Sequence, residues 1–325
     1  MLHRGYTGFK QEKRPIWKGR TAVGTPTSAW SAPGSAVPAA GGAFRYALNT
    51  ATLRGYKLPL ADQIVLTAQA GYTGIEPWVE DIAKAAAGGT PLSALKRQCA
   101  DAGLSVISAI GFAAWAVDDD TARAKGMEQM KRDMDLVAQL GGTHIAASPA
   151  GVYKADVKLD LDRAAERYRA VLELGRDMGV IPQLEFWGAA ANLARVDQCL
   201  YVAARAAHPD ACVLADAYHM YRGGSEAASL RLLGRCATHC FHMNDYPAQP
   251  AREALKDSDR VWPGDGIAPL TEILATFAEN CASVWLSVEL FNAAYWQRPA
   301  PETARTGLDK MKASVAKMHA AGVIG

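Results

Sequence analysis

The sequence predicts an α/β protein, a closed (β/α)8 (TIM) barrel, and three observations carry that prediction. From residue 44 onward, short apolar or β-branched runs alternate with longer amphipathic stretches. Such alternation implies parallel βαβ units. Eight of these runs fit within residues 44–320, the usual span of an eight-unit barrel. No Gly-x-Gly-x-x-Gly opens any of the helical stretches, which disfavours the open doubly wound sheet.

Taken in order, the strand candidates are FRYALN (44–49), GIEPW (74–78), SVISAIGF (105–112) and THIAAS (143–148), then IPQLEFW (181–187), CVLADA (212–217), THCFHMN (238–244) and SVWLSVELF (283–291). Between them lie helical patterns such as TARAKGMEQMKRDMDLVAQLGG and LDRAAERYRAVLELGRDMG, each closing on a glycine as helix C-termini often do. Residues 44–325 therefore read as a single barrel domain. Residues 1–43 differ: early Arg and Lys are followed by a Pro/Gly/Ser/Ala-rich run, which reads as a flexible N-terminal arm.

Composition narrows the function classes. The 325 residues are 50% hydrophobic and carry a formal charge of +2, so the electrostatic footprint of a nucleic-acid binder is absent. No apolar stretch is long enough for a membrane span, and the arm lacks the unbroken apolar segment of a secretory leader. Six scattered cysteines without a CxxC read as reduced thiols, pointing to a cytoplasmic protein, although the atypical arm leaves export open. The chain is compatible with a homo-oligomer.

Active sites of such barrels form at the C-terminal ends of the strands. Late in strands five to eight stand Glu185, Asp216, His242 and Glu289, one metal-competent side chain per strand. Carboxylates inside runs as apolar as QLEFW and LSVELF are costly to bury alone, and a shared divalent cation removes that cost. Glu76, Trp78, Trp115 and Trp187, at strand ends, are candidate sugar contacts. Asn244 and Asp245, just after His242, are candidates to hold that histidine or to bind hydroxyls. WPGDG (262–266) reads as a tight loop in which Asp265 is a turn residue, and Tyr295 and Trp296 are candidates to close over the mouth.

GYTGIEPW, LEFWG, DAYH, HMND and VELF together resemble the xylose-isomerase-like TIM-barrel superfamily, in particular its sugar phosphate isomerase/epimerase group, with ketose 3-epimerases and myo-inosose dehydratases as members. The resemblance covers all but the arm. It implies one divalent ion, Mn2+ first and Co2+, Mg2+ or Zn2+ as alternatives, held by Glu185, Asp216, His242 and Glu289. It also implies that His219 reaches a substrate oxygen and that Glu185 and Glu289 act as acid and base on a sugar or cyclitol. The expected reaction is isomerisation or epimerisation by proton abstraction next to a carbonyl, through an enediolate.

Two departures weaken a free-hexulose reading, because Ala191 and Ala248 stand where the ketose epimerases carry sugar-contacting Glu and Arg. A lyase or dehydratase acting on an inosose or a 3-oxo-sugar or glycoside is the main alternative, and a non-catalytic sugar-binding barrel a weaker one. The related endonuclease IV pattern fails, since its Asp-x-His falls on DRV, where Val261 cannot bind metal, and the earlier strands end without histidines.

Overall fold

The computed structural model describes residues 44–234, 237–281 and 283–322. The arm (1–43) and Cys236 lie outside the described residues. Eight strands form one parallel sheet: β1 (Arg45–Asn49), β2 (Gly74–Glu76), β3 (Ser105–Val106), β4 (His144–Ala147), β5 (Ile181–Glu185), β6 (Val213–Asp216), β7 (Cys240–His242) and β8 (Trp285–Val288). Their order is β3-β2-β1-β8-β7-β6-β5-β4. The sheet closes because the chain beyond β3 bonds to β4: Ala109 N–H donates to His144 O (3.1 Å), and Ala146 N–H donates to Ala109 O (2.9 Å). The expected third strand is thus shorter than its apolar run, with the remainder serving as an irregular seam.

The two helical patterns form as their sequences direct. Helix Asp120–Leu140 starts on the Asp119 side-chain cap and ends at Gly141, with φ 92°. Helix Leu161–Met178 starts on Asp160 and ends at Gly179, with φ 70°. Among the described residues no helix is long and apolar enough to cross a membrane, and Cys99, Cys199, Cys212 and Cys240 are buried thiols.

Strand periodicity sorts each run into two environments. Leu48, Ile75, Ile145, Leu184, Phe241 and Leu286 join the helices in the large outer core. The alternate positions Ala47, Ile107, Ala146, Leu214, Cys240 and Trp285 form a separate, smaller cluster inside the barrel. Gly74 is required there, since a Cβ would lie 2.7 Å from the Trp285 ring and 2.9 Å from Ile107. Two residues beyond the inward apolar positions come polar ones: Asp216 after Leu214, His242 after Cys240, Ser287 after Trp285. The lumen is therefore apolar low down and charged at its C-terminal end.

Candidate metal centre and substrate cavity

The floor of the C-terminal end is built from the last residues of β5, β6 and β7 and the first residue past β8. Asp216 and His242 are direct register partners on β6 and β7. His242 Nδ1 lies 3.3 Å from Glu289 Oε2 and 3.7 Å from Asp216 Oδ2. With metal–ligand bonds of about 2.0–2.2 Å, two donors on one ion sit about 3–3.5 Å apart, so this spacing suits a shared cation. His242 Nδ1 is buried without a hydrogen-bond partner, as is Glu185 Oε2. The opposite ring nitrogen, Nε2, is 3.0 Å from Glu76 Oε2. A carboxylate behind a histidine whose other nitrogen faces ligand groups is the usual orienting arrangement of metal-binding imidazoles. The donor atoms of Asp216, His242 and Glu289, all within 4.8 Å of one another, fit a divalent ion; Glu185 lies outside that group.

Electrostatics point the same way. Burial alone would lower the His242 pKa, but the carboxylates of Glu289 and Glu76, with Asp216 close by, raise it well above its ordinary value. For Asp216, burial is overcome by Arg260, His219 and His242, which hold it far below the usual carboxylate range. Glu185 goes the other way. Burial pushes its pKa up to about 8; His242 opposes this, while Glu289 and Asp216 reinforce it. Without a further positive charge, this floor makes one of its carboxylates hold a proton.

Arg260 is the residue the sequence reasoning missed. Only 1% exposed, it donates from Nη1 to Glu289 Oε2 (2.9 Å) and Asp216 Oδ2 (3.1 Å), and from Nη2 to Asp257 Oδ1 (2.5 Å). Its guanidinium packs on Tyr218 and Phe291, and its Nε–H is buried without a partner. The tripeptide DRV had been weighed only for Val261. The readable signal was a lone arginine immediately ahead of VWPGDG, in the loop that follows a strand ending in a metal-competent histidine.

His219 lines the cavity. Its backbone N–H caps onto Asp216 Oδ1 (2.8 Å), so the residue three past the strand end is turned toward the floor. Gly188 approaches so closely that a Cβ would stand 2.3 Å from His219 O. The Gly188 N–H faces His219 Nδ1 (3.2 Å), and Arg260 Nη2 faces Nε2 (3.2 Å). A neutral imidazole has one acceptor nitrogen, so only one of these donors is satisfied at a time.

Above the floor opens a cavity of about 530 Å³, lined by Glu185, His219, Arg260 and Glu289 and by the rings of Trp78, Phe112, Tyr153, Trp187 and Phe291. Other sequence candidates lie elsewhere. Glu76 is fully buried behind His242, its Oε2 also accepting from Ser287 (2.7 Å) and Asn49 (3.0 Å). Trp115 is a core residue whose Nε1–H donates to Ser148 O (2.8 Å). Asn244 braces β6, donating to Asp216 Oδ2 (3.0 Å) and accepting from Tyr218 N–H (2.9 Å). These three are enclosed by protein and do not line the cavity.

Asp245 staples the following loop through the N–H groups of Tyr246, Gly264 and Ala268, while Asp265 pairs with Lys310. Tyr295 stacks on Trp262 at 4.5 Å and Trp296 donates to Thr52 O (2.9 Å), and neither lines the cavity.

With this geometry in view, comparison with known proteins places the chain. A family model described as "Xylose isomerase-like TIM barrel" matches residues 64–314. The chain belongs to that family. Among curated proteins it is similar to the inosose isomerase of Bacillus velezensis, 26% identical over 193 residues (59% of this chain, 69% of the relative), and to that of Bacillus subtilis, 25% identical over 190 residues (58% and 68%). Among solved structures, the IolI protein with a bound zinc atom superposes with a TM-score of 0.76 at 22% identity, covering 84% of this chain and 99% of that one. D-psicose 3-epimerase, in the presence of D-fructose, gives 0.66 at 15% identity, covering 82% and 97%. At such identities the superpositions speak to fold.

Proposed function

We propose that this protein is a divalent-metal-dependent isomerase or epimerase of a sugar or cyclitol, working by proton abstraction from the carbon next to a carbonyl. The observation that carries the reading is the joint placement of Glu185 and Glu289, from separate strands, on one cavity floor beside His242 Nδ1 and Asp216. Asp216, His242, Glu289 and Glu185 would hold the ion, Mn2+ in this proposal. When bound, it would supply Lewis-acid polarisation of the substrate carbonyl and neighbouring hydroxyl.

The chain's own groups supply the rest. One of Glu185 and Glu289, in its ionised form, takes the carbon-bound proton, and the electron pair moves into the carbonyl to give an enediolate. The other, carrying a proton taken up from solvent, returns one to the opposite face for epimerisation; return by the same base to the adjacent carbon gives isomerisation. Arg260 holds Glu289 in place and sets a fixed positive charge beside the oxygens where negative charge develops. Asp257 and Asp216 keep that guanidinium from swinging away. The names of the curated inosose isomerases make a cyclic polyol ketone the first substrate class to test.

The test is exchange of substrate protons with deuterated water. Glu185→Gln and Glu289→Gln should each slow exchange roughly 10²- to 10⁴-fold, with metal occupancy measured in the same samples. A fully metallated Glu289→Gln variant that exchanges and turns over like wild type sinks the two-base reading.

A further inference from the structure

The cavity has more wall than its polar floor explains. Five rings from five different loops form a continuous arc around the mouth. Phe291 meets Trp78 (6.1 Å between centroids), Trp78 meets Phe112 (5.0 Å), Phe112 meets Trp187 (6.0 Å), and Trp187 meets Tyr153 (6.0 Å). Neighbouring planes are inclined by 54–70°, so the rings meet edge to face and do not cover one another. Phe112 is 40% exposed and Tyr153 44%. Two large aromatic side chains left open on either side of Trp187 at a cavity mouth are the kind of surface a ligand covers.

The arc is held in place before any ligand arrives. The Trp78 indole N–H donates to Asn49 Oδ1 (3.2 Å), and the Arg54 guanidinium covers one side of that ring at 4.1 Å. The loop bearing Trp187 is tied to the loop bearing Tyr153 by Ala191 N–H donating to Tyr153 O (2.8 Å), and it closes its own turn by Ala190 N–H donating to Trp187 O (2.8 Å). Polar groups at this level are few: Ser258, and Asp257, which Arg260 already engages. A second sugar ring here would bury hydroxyls without partners, whereas a planar apolar group needs none. The volume of about 530 Å³ lies within the range for ligands larger than a single sugar ring, roughly 300–1,000 Å³.

We infer that the aromatic arc is a subsite for a planar, apolar substituent carried by the polyol, so that the substrate class is an aryl-substituted sugar or cyclitol. This rests on the proposed polyol site at the floor, and it names what the rest of the molecule must look like. The sugar end sits over Glu185, Glu289 and Arg260, and the aryl end leans on Phe112, Trp187 and Tyr153.

The test uses the full-length protein and matched pairs of phenyl and methyl glycosides of glucose, galactose and xylose, with cellobiose as the second-ring control. Saturation-transfer NMR and calorimetry read binding. The phenyl member of at least one pair should bind about tenfold tighter than its methyl partner and tighter than cellobiose, with saturation concentrated on the aromatic protons. Phe112→Ala and Tyr153→Ala, both at partly exposed positions, should shrink that preference at unchanged melting temperature. Equal binding within every pair, preference for cellobiose, absence of binding by every phenyl glycoside, or a phenyl preference unchanged in both variants overturns the inference. Proton exchange on unsubstituted ketoses is read separately. A protein that keeps the phenyl preference but exchanges no proton sinks the proposed reaction and leaves the subsite standing; the opposite outcome does the reverse.

Discussion

The two ends of this barrel bury histidines in opposite ways. At the C-terminal end, His242 sits among Glu76, Asp216 and Glu289, and those carboxylates overturn the effect of burial to raise its pKa. At the N-terminal end, His144 and His239 stack face to face at 3.5 Å, and among the described residues no carboxylate is bonded to either. Burial pushes His239 down to about 4, helped by Arg45 and opposed by the Ile107 carbonyl and Glu76. His144 is lowered well below its ordinary value by burial and by His239. Both sites are sheltered by the backbone frame, His242 fully buried and the His144–His239 pair half-buried. What differs is which side chains the strands deliver: one end concentrates charge that invites a cation, while the other holds two neutral rings as packing.

The sharpest way to break this contrast is His242→Ala. It removes the imidazole nitrogen that would share an ion with Asp216 and Glu289, so divalent-ion affinity should fall by more than about 100-fold and activity with it. Metal analysis after gel filtration reads this directly, and unchanged metal content would refute the assignment of the floor.

Arg260→Met comes next. It leaves Asp216 and Glu289 buried without their cation, a loss of about 3–5 kcal/mol in the metal-free protein. A melting temperature lower by roughly 10 °C should result, with much of the loss recovered on adding Mn2+ or Zn2+. Equal destabilisation with and without metal would mean that the arginine acts only through packing.

Glu76→Gln is subtler. The amide keeps the shape and an oxygen for His242 Nε2 but lacks the charge that fixes the ring and its basicity, so metal affinity should weaken about 10- to 100-fold while the fold is retained. An affinity matching wild type would reduce Glu76 to a space-filling role.

The contrast between the ends also marks where sequence reading works. Glu185, Asp216, His242 and Glu289 were legible because each is a polar residue late in an apolar strand, and barrel geometry sends such positions to one place. Depth was not legible. Glu76 ends its strand as Glu185 does, yet it lies behind His242 and not on the cavity. Strands of a barrel are staggered, and stagger is a property of closure that no single run contains. Trp115 and Asn244 failed for a related reason, since loop residues turn toward core or cavity according to partners distant in sequence, here Ser148 O and Asp216. Arg260 lies in an irregular loop with no periodicity to aim it. Its importance appears only when Asp216, Asp257, Glu289 and His219 are seen to converge on it.

The smallest expected effect tests the neutral end. His239 has a folded pKa of about 4 against an ordinary value near 6.5, so as pH falls the unfolded chain takes up a proton before the folded one does. Its contribution to stability is therefore complete above about pH 6.5 and is lost progressively down to about pH 4, where both states are protonated. At pH 5 the loss is about 2 kcal/mol for this residue, a few degrees in melting temperature. His144 moves in the same direction, and Arg45, stacked on Trp285 nearby, adds to the cost of charging His239. Carboxylates elsewhere also titrate in this window, so the measurement is a difference: melting temperature against pH for wild type and for the His144→Gln/His239→Gln double variant. The variant should be less stable at pH 7.5, where it has lost the stack, but its curve should fall less steeply between pH 6.5 and 4.5. Parallel curves would show that the pair does not titrate as a buried neutral unit, and the distinction drawn between the two ends would then rest on the carboxylates alone.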